Sequence, residues 1–85
     1  MTSDRAAVLA QLTGFLKTML KPDQFSRLGP ETPLREFGVL DSLGMARLVT
    51  FIRDDMGVAV PMRHLTGARF RSLDDITDLV LTLRA

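Results

Sequence analysis

The sequence predicts an all-α protein: a small four-helix bundle of three main helices and one short one. Three observations carry that prediction. Apolar side chains recur at helical spacing in three separate stretches. Each stretch is bounded by residues that start or stop helices. The one run that could pass for a strand, Val58-Ala59-Val60, has no partner strand in sight and is expected to be an extended connector. A stripe on one face of each helix then has to meet the others in a shared core.

The first helix is expected from about Ser3 to Leu20. Its stripe is Leu9, Leu12, Leu16 and Met19, with Val8 and Phe15 beside it. Thr2 or Ser3 would cap it, Asp4 suits its first turn, and Lys21-Pro22 ends it. Residues 22–40 lack clear periodicity and are punctuated by Gly29-Pro30 and Thr32-Pro33. Leu34, Phe37 and Leu40 are expected to fasten this long loop to the core. Structured loops of such length often carry function.

The second main helix is expected from Ser42 to Met56, with Met45, Leu48, Val49, Ile52 and Met56 as its stripe and Phe51 adjoining. Asp41 is a good N-cap. Leu40 and Met45 then have the spacing of a hydrophobic staple. Gly57 is a natural stop, with Pro61 shortly after. Pro61 to Leu65 reads as the short helical turn. Ser72 opens the last helix, Asp75 stands at capping-box distance, and Leu73, Ile76, Leu79, Val80 and Leu83 form the buried face.

Composition limits function. Eighty-five residues make one domain, residues 1–85. Such a chain buries only about 60% of its unfolded surface, which leaves little room for a cleft that encloses a substrate. The net charge of +1 is too small for a nucleic-acid binder. The apolar runs are too short to span a membrane, and the first residues do not resemble a secretory signal, so a cytoplasmic location is expected. With no cysteine there is no disulfide, thiol nucleophile or thiolate metal site. His64, beside Arg63, has no convergent ligands in view, so no metal site is expected.

The most informative stretch is Asp41-Ser42-Leu43, between Gly38-Val39-Leu40 and the second stripe. Three readings of Ser42 compete. In the first, Asp-Ser is only a capping pair. In the second, Ser42 is a catalytic nucleophile, which needs an oriented base. The chain has a single histidine, and Leu40-Asp41-Ser42-Leu43-Gly44 is not a G-x-S-x-G elbow. In the third, Ser42 is itself a substrate, and another enzyme transfers a phosphate-linked group onto its hydroxyl. A helix start offers partial positive charge and spare N–H groups to a phosphodiester. Asp41 would help hold the magnesium that accompanies phosphoryl transfer. Gly44 would leave an incoming partner unobstructed.

Taken together, the helix, the long loop, Asp-Ser-Leu opening the next helix, Gly-Val-x-Val-Pro after it and the capped final helix resemble an acyl or peptidyl carrier protein. The resemblance covers nearly the whole chain. It implies the carrier fold, no catalysis, and 4′-phosphopantetheine attached to Ser42, donated by coenzyme A through a phosphopantetheinyl transferase. It implies that the thiol of this arm holds an acyl or aminoacyl thioester. An adenylating ligase or acyltransferase would load it, and downstream synthase or tailoring enzymes would receive it. It further implies a monomer that binds neither nucleic acid nor membrane.

Gly-Val-Leu-Asp-Ser-Leu-Gly is similar to D-alanyl carriers and to discrete carriers of polyketide and nonribosomal peptide pathways. Fatty-acid carriers have a strongly acidic second helix, whereas here Arg47 and Arg53 stand against Asp54 and Asp55. Mixed charge suggests dedicated partners. Leu43, Arg47, Thr50 and Arg53 are the expected docking residues. Met45 and Met56 are read as core filler, with the alternative that they line a transient pocket for the acyl chain. The competing function is a small helical interaction or DNA-binding module in which Ser42 only starts a helix. Two arginines offset by two aspartates make a poor recognition face for DNA.

Overall fold

A computed structural model describes residues 4–38 and 40–84, the side chain of Glu36 excepted. The described residues form four α-helices and two 3₁₀ turns, with no strand. Helix α1 spans Asp4–Lys17, α2 Pro22–Phe25, α3 Ser42–Met56 and α4 Leu73–Arg84. The 3₁₀ turns are Leu34–Phe37 and Met62–His64. The all-α expectation holds, and the expected short turn after Pro61 is the second 3₁₀ turn. Helix α2, one turn long, lies inside what the sequence suggested was plain loop.

Helix α1 buries Val8, Leu12 and Leu16, residues four apart on one face. Leu9, Phe15 and Met19 are half-buried at its margins. The stripe is thus centred on Val8 rather than on Leu9 and Met19. The helix also ends at Lys17, not at Leu20. The N–H groups of Thr18 and Met19 bond the carbonyls three residues back, at 3.0 and 2.9 Å, which tightens the last turn. The Thr18 hydroxyl donates to the Phe15 carbonyl at 2.6 Å. Pro22 does not end α1 but begins α2, where its fixed φ suits a first helical position. The expected caps Thr2 and Ser3 lie outside the described residues.

The long loop is fastened at both faces. Leu34 is fully buried, and Phe37 and Leu40 are half-buried against the core, as expected. The Leu34 N–H donates to the Arg71 carbonyl at 2.8 Å, and the Asp74 N–H donates to the Pro30 carbonyl at 2.9 Å. These two bonds stitch the loop to the start of α4.

Helix α3 buries Leu48 and Ile52, with Met45, Val49, Phe51 and Met56 half-buried around them. It stops at Gly57, whose φ of 71° is left-handed and favours glycine. Beyond it, the Val58 N–H reaches back to the Ile52 carbonyl at 3.0 Å, and residues 58–60 form neither strand nor helix.

Helix α4 buries Leu73, Ile76, Leu79 and Val80, whereas Leu83 is only half-buried. Thr77 is buried too, and its hydroxyl donates to the Leu73 carbonyl at 2.7 Å, so the polar group is satisfied within the helix. The Ser72 cap closes in a variant way. Its hydroxyl accepts from the Asp75 N–H at 3.2 Å and donates to the Asp75 carboxylate at 3.0 Å. The shorter Asp side chain is held on the hydroxyl, where a capping-box Glu would reach the cap's backbone N–H.

Helix α4 packs chiefly on α1. Arg5 bridges Asp74, at 3.1 Å, and Asp78, while Arg84 meets Asp4 at 3.3 Å. The hydrogen bond that Arg5 donates to Asp78, with the nearby charges of Asp78 and Asp74, raises the Arg5 pKa above its ordinary value. Arginine is charged at every relevant pH, so this network gives orientation rather than a pH response.

Leu34→Ala removes the buried anchor of the loop. It is expected to cost about 2–5 kcal/mol of stability in chemical denaturation. A cost near zero would show that the loop is not fastened there.

Candidate functional site

The site is built by a left-handed glycine followed by a cap. Gly38, at φ 67°, closes the first 3₁₀ turn, its N–H bonded to the Arg35 carbonyl at 3.2 Å. Leu40 and Asp41 follow; Val39, between Gly38 and Leu40, lies outside the described residues. Asp41 is extended, at φ −73° and ψ −176°, and its carboxylate Oδ1 accepts from the Gly44 N–H at 2.8 Å. Its carbonyl receives the Met45 N–H at 2.8 Å, the first rung of α3. Asp41 is therefore the N-cap that the sequence predicts.

Ser42 is the first residue of α3, and its side chain is exposed. Leu43 beside it is 63% exposed, one of two large apolar residues so placed among the described residues; the other is Met62, at 86%. The Ser42 hydroxyl has no hydrogen-bonded base among the described residues, so the nucleophile reading has no geometric support. His64 is half-buried on its 3₁₀ turn, and no group of three or more potential metal ligands occurs among the described residues.

The surroundings suit a phosphodiester on Ser42. The first N–H groups of a helix have no carbonyl partner within it, and the helix dipole adds partial positive charge. The nearest acid, Asp41, has one carboxylate oxygen on the Gly44 N–H, while the other makes no hydrogen bond among the described residues. Asp41 thus serves first as a cap, with one oxygen left for the magnesium role expected of it. Gly44 sits directly below the cap, its N–H on the Asp41 carboxylate. It is buried, on the wall of a shallow cleft shared with Met19, Phe37 and Arg47.

Leu43, Arg47 and Thr50 are all exposed and follow one another at helical spacing, as docking residues should. Arg47 and Thr50 edge an open groove between α1 and α3 whose floor is the stacked pair Phe15 and Phe51, with centroids 4.5 Å apart. Arg53 is exposed too but is tied to Asp54 at 3.0 Å, and that hydrogen bond raises its pKa. Arg47 makes no ion pair among the described residues, which leaves it the more available cation. This balanced face does not resemble a DNA-reading helix.

Sequence reasoning missed one feature. Leu40 and Met45, the staple pair on either side of Ser42, border an apolar recess completed by Pro33 and Phe70, with Arg35 and Arg71 also in its lining. The staple spacing was visible in the chain. That Arg35 and Arg71 line one recess goes with the bond from the Leu34 N–H to the Arg71 carbonyl, which no local pattern signals.

Asp41→Ala should destabilise the domain by about 0.5–2 kcal/mol, whereas Asp41→Asn should be close to neutral because both residues cap well. Thermal and urea denaturation of both variants would check this. Equal losses would mean that the carboxylate charge, not the cap, stabilises α3.

Comparison with known proteins agrees with this geometry. The family model described as "Phosphopantetheine attachment site" matches residues 6–80. The chain is also 28% identical over 76 residues to a protein of Serratia sp. (strain ATCC 39006) named "Probable acyl carrier protein PigG", a match covering 89% of this chain and 87% of that one. No helix among the described residues is long and apolar enough to cross a membrane. The chain belongs to the phosphopantetheine attachment family: it is a carrier protein of a generally non-catalytic kind, and its prosthetic group is a covalently attached 4′-phosphopantetheine.

Proposed function

We propose that Ser42 is the attachment residue, and that residues 1–85 act as an acyl or aminoacyl carrier domain. The observation that carries this reading is an exposed hydroxyl on the first residue of α3, with the neighbouring carboxylate turned onto its own helix. In the modification step, Ser42 Oγ forms a bond to the pantetheine-side phosphorus of coenzyme A while the phosphoanhydride breaks and adenosine 3′,5′-bisphosphate departs as the leaving group. The serine proton passes to a base of the transferase. Asp41, whose Oδ1 is taken by the Gly44 N–H, would help hold the magnesium that accompanies this phosphoryl transfer. The arm's terminal thiol then supplies thioester chemistry, and this chain supplies presentation and partner choice.

Partners follow from the exposed face of α3. A phosphopantetheinyl transferase, an adenylating ligase or acyltransferase, and downstream synthase or tailoring enzymes would each meet Leu43, Arg47, Thr50 and Arg53. Mixed charge on that face favours dedicated partners, because complementary charge sets encounter rate and choice. With the Gly-Val-Leu-Asp-Ser-Leu-Gly arrangement, it supports service in polyketide or nonribosomal peptide biosynthesis. On this reading the domain works as a cytoplasmic monomer, where coenzyme A is supplied.

Incubation with coenzyme A, magnesium and a broad-specificity phosphopantetheinyl transferase should add the mass of phosphopantetheine to the wild type and nothing to Ser42→Ala. An unmodified wild type, with a transferase active on a control carrier, would reject the assignment. Arg47→Glu should slow loading by the cognate ligase several-fold without lowering the melting temperature. Arg53→Glu should have the smaller effect, since Asp54 already neutralises Arg53. Unchanged loading kinetics for both would remove the face of α3 from partner docking.

A further inference from the structure

The segment between α3 and α4 carries charge of one sign. Residues 57–73 contain no aspartate, glutamate or lysine, but they hold Arg63, Arg69 and Arg71. All three arginines are exposed. Arg63 and Arg69 make no ion pair among the described residues, and Arg71 meets Asp75 through Nε at 3.4 Å. Met62, directly before Arg63, is the most exposed large apolar side chain among the described residues, at 86%.

Two successive turns hold these side chains outward. Pro61 fixes the entry, and the His64 N–H donates to its carbonyl at 2.9 Å. The Leu65 N–H donates to the Met62 carbonyl at 3.0 Å. In the next turn the Thr66 hydroxyl accepts from the Arg69 N–H at 3.3 Å, and the Thr66 carbonyl accepts from the Phe70 N–H at 3.2 Å. Leu65 is half-buried and Phe70 buried, so both turns are seated on the core. A partner that grips side chains on such ordered backbone loses less entropy. Methionine and arginine are enriched at protein interfaces, where lysine, aspartate and glutamate are depleted. Gly67, Ala68 and Arg71 also share a recess with Leu40 and Met45, so the segment borders the end of the molecule where α3 begins.

Resting on Ser42 as the attachment residue, we propose that residues 62–71 form a second docking surface, apart from the exposed face of α3, for the acidic rim of an enzyme that works on the tethered group. Met62 enters an apolar socket in that rim, and Arg63, Arg69 and Arg71 meet carboxylates around it. Arginine's planar fork matches a carboxylate, and a surface of one sign draws acidic partners while turning basic ones away. The place favours an enzyme over a lipid surface or nucleic acid. The occupant sits beside the start of α3, where the arm leaves, and a net charge of +1 gives little pull on a polyanion.

The test titrates the ¹⁵N-labelled protein with a synthetic peptide in which glutamates flank one leucine on both sides. Two comparison peptides carry glutamine for glutamate, or serine for leucine. Amide shifts report where each binds and how tightly. The glutamate peptide should shift residues 62–71 and leave Thr50 and Arg53 of α3 unmoved, and both comparison peptides should bind more weakly. Arg63→Gln and Arg69→Gln should each weaken it about two- to fivefold, and raised salt should weaken it too. Met62→Ala should weaken it about tenfold and erase the preference for leucine over serine. These side chains are exposed, so the melting temperature should not change; Arg53→Gln is the control and should bind as the wild type does. Shifts centred on α3, equal binding of the glutamine peptide, or indifference to the Met62, Arg63 and Arg69 variants overturns the proposal. So does tighter binding to phosphatidylglycerol vesicles or to duplex DNA than to the peptide. Those results leave the attachment reading intact. A wild type that takes no phosphopantetheine from coenzyme A overturns that reading and, with it, the choice of an enzyme as occupant.

Discussion

The serine's position depends on how the long loop is pinned to the beginning of α4. The Leu34 N–H to Arg71 carbonyl bond and the Asp74 N–H to Pro30 carbonyl bond hold it from two sides, and the buried Leu34 side chain fills the gap between them. Without those contacts, residues 22–40 would be a tether of wide conformational freedom, and ordering such a chain costs free energy at every residue. With them, the left-handed Gly38 and the Asp41 cap inherit a defined direction. Helix α3 therefore starts at one place with its first residue outward.

The rest of the molecule serves as the body behind that point. Leu12 and Leu16 of α1, Leu48 and Ile52 of α3, and Ile76 and Leu79 of α4 are fully buried. Three helices thus share one core, and none is long enough to be stable alone in water. The buried polar groups, Ser72 and Thr77, are both bonded within α4. Among the described residues no buried side-chain donor or acceptor lacks a partner. A carrier must survive repeated handling by other proteins, and a satisfied core lets its exposed end engage them without loosening the body.

Charge divides the surface into regions with different tasks. Arg5, Arg84, Asp4, Asp74 and Asp78 knit α1 to α4, and exposed pairs of that kind orient helices more than they stabilise them. The exposed face of α3 is nearly neutral, with Arg53 absorbed by Asp54 and Arg47 left available. Beside it, Arg35 and Arg71 line the apolar recess. Face and recess present different chemistry to whatever comes to collect what the arm carries.

Local chemistry made much of this legible in the chain. The limits of α3, its Asp41 cap, its Gly57 stop, the Ser72 cap and the exposure of Leu43 all follow from near neighbours, because caps and turns satisfy backbone groups within a few residues. Helix α1 was harder. The Thr18 hydroxyl draws its last turn tight before Pro22, and the core selects Val8 over Leu9, a choice of a single position around the helix that depends on what α4 presents. Tertiary structure decided the burial of Gly44 and Thr77, the order within the loop and the recess that Arg35 and Arg71 both line. Each depends on contacts between residues far apart in the chain, whose geometry exists only once the helices have packed.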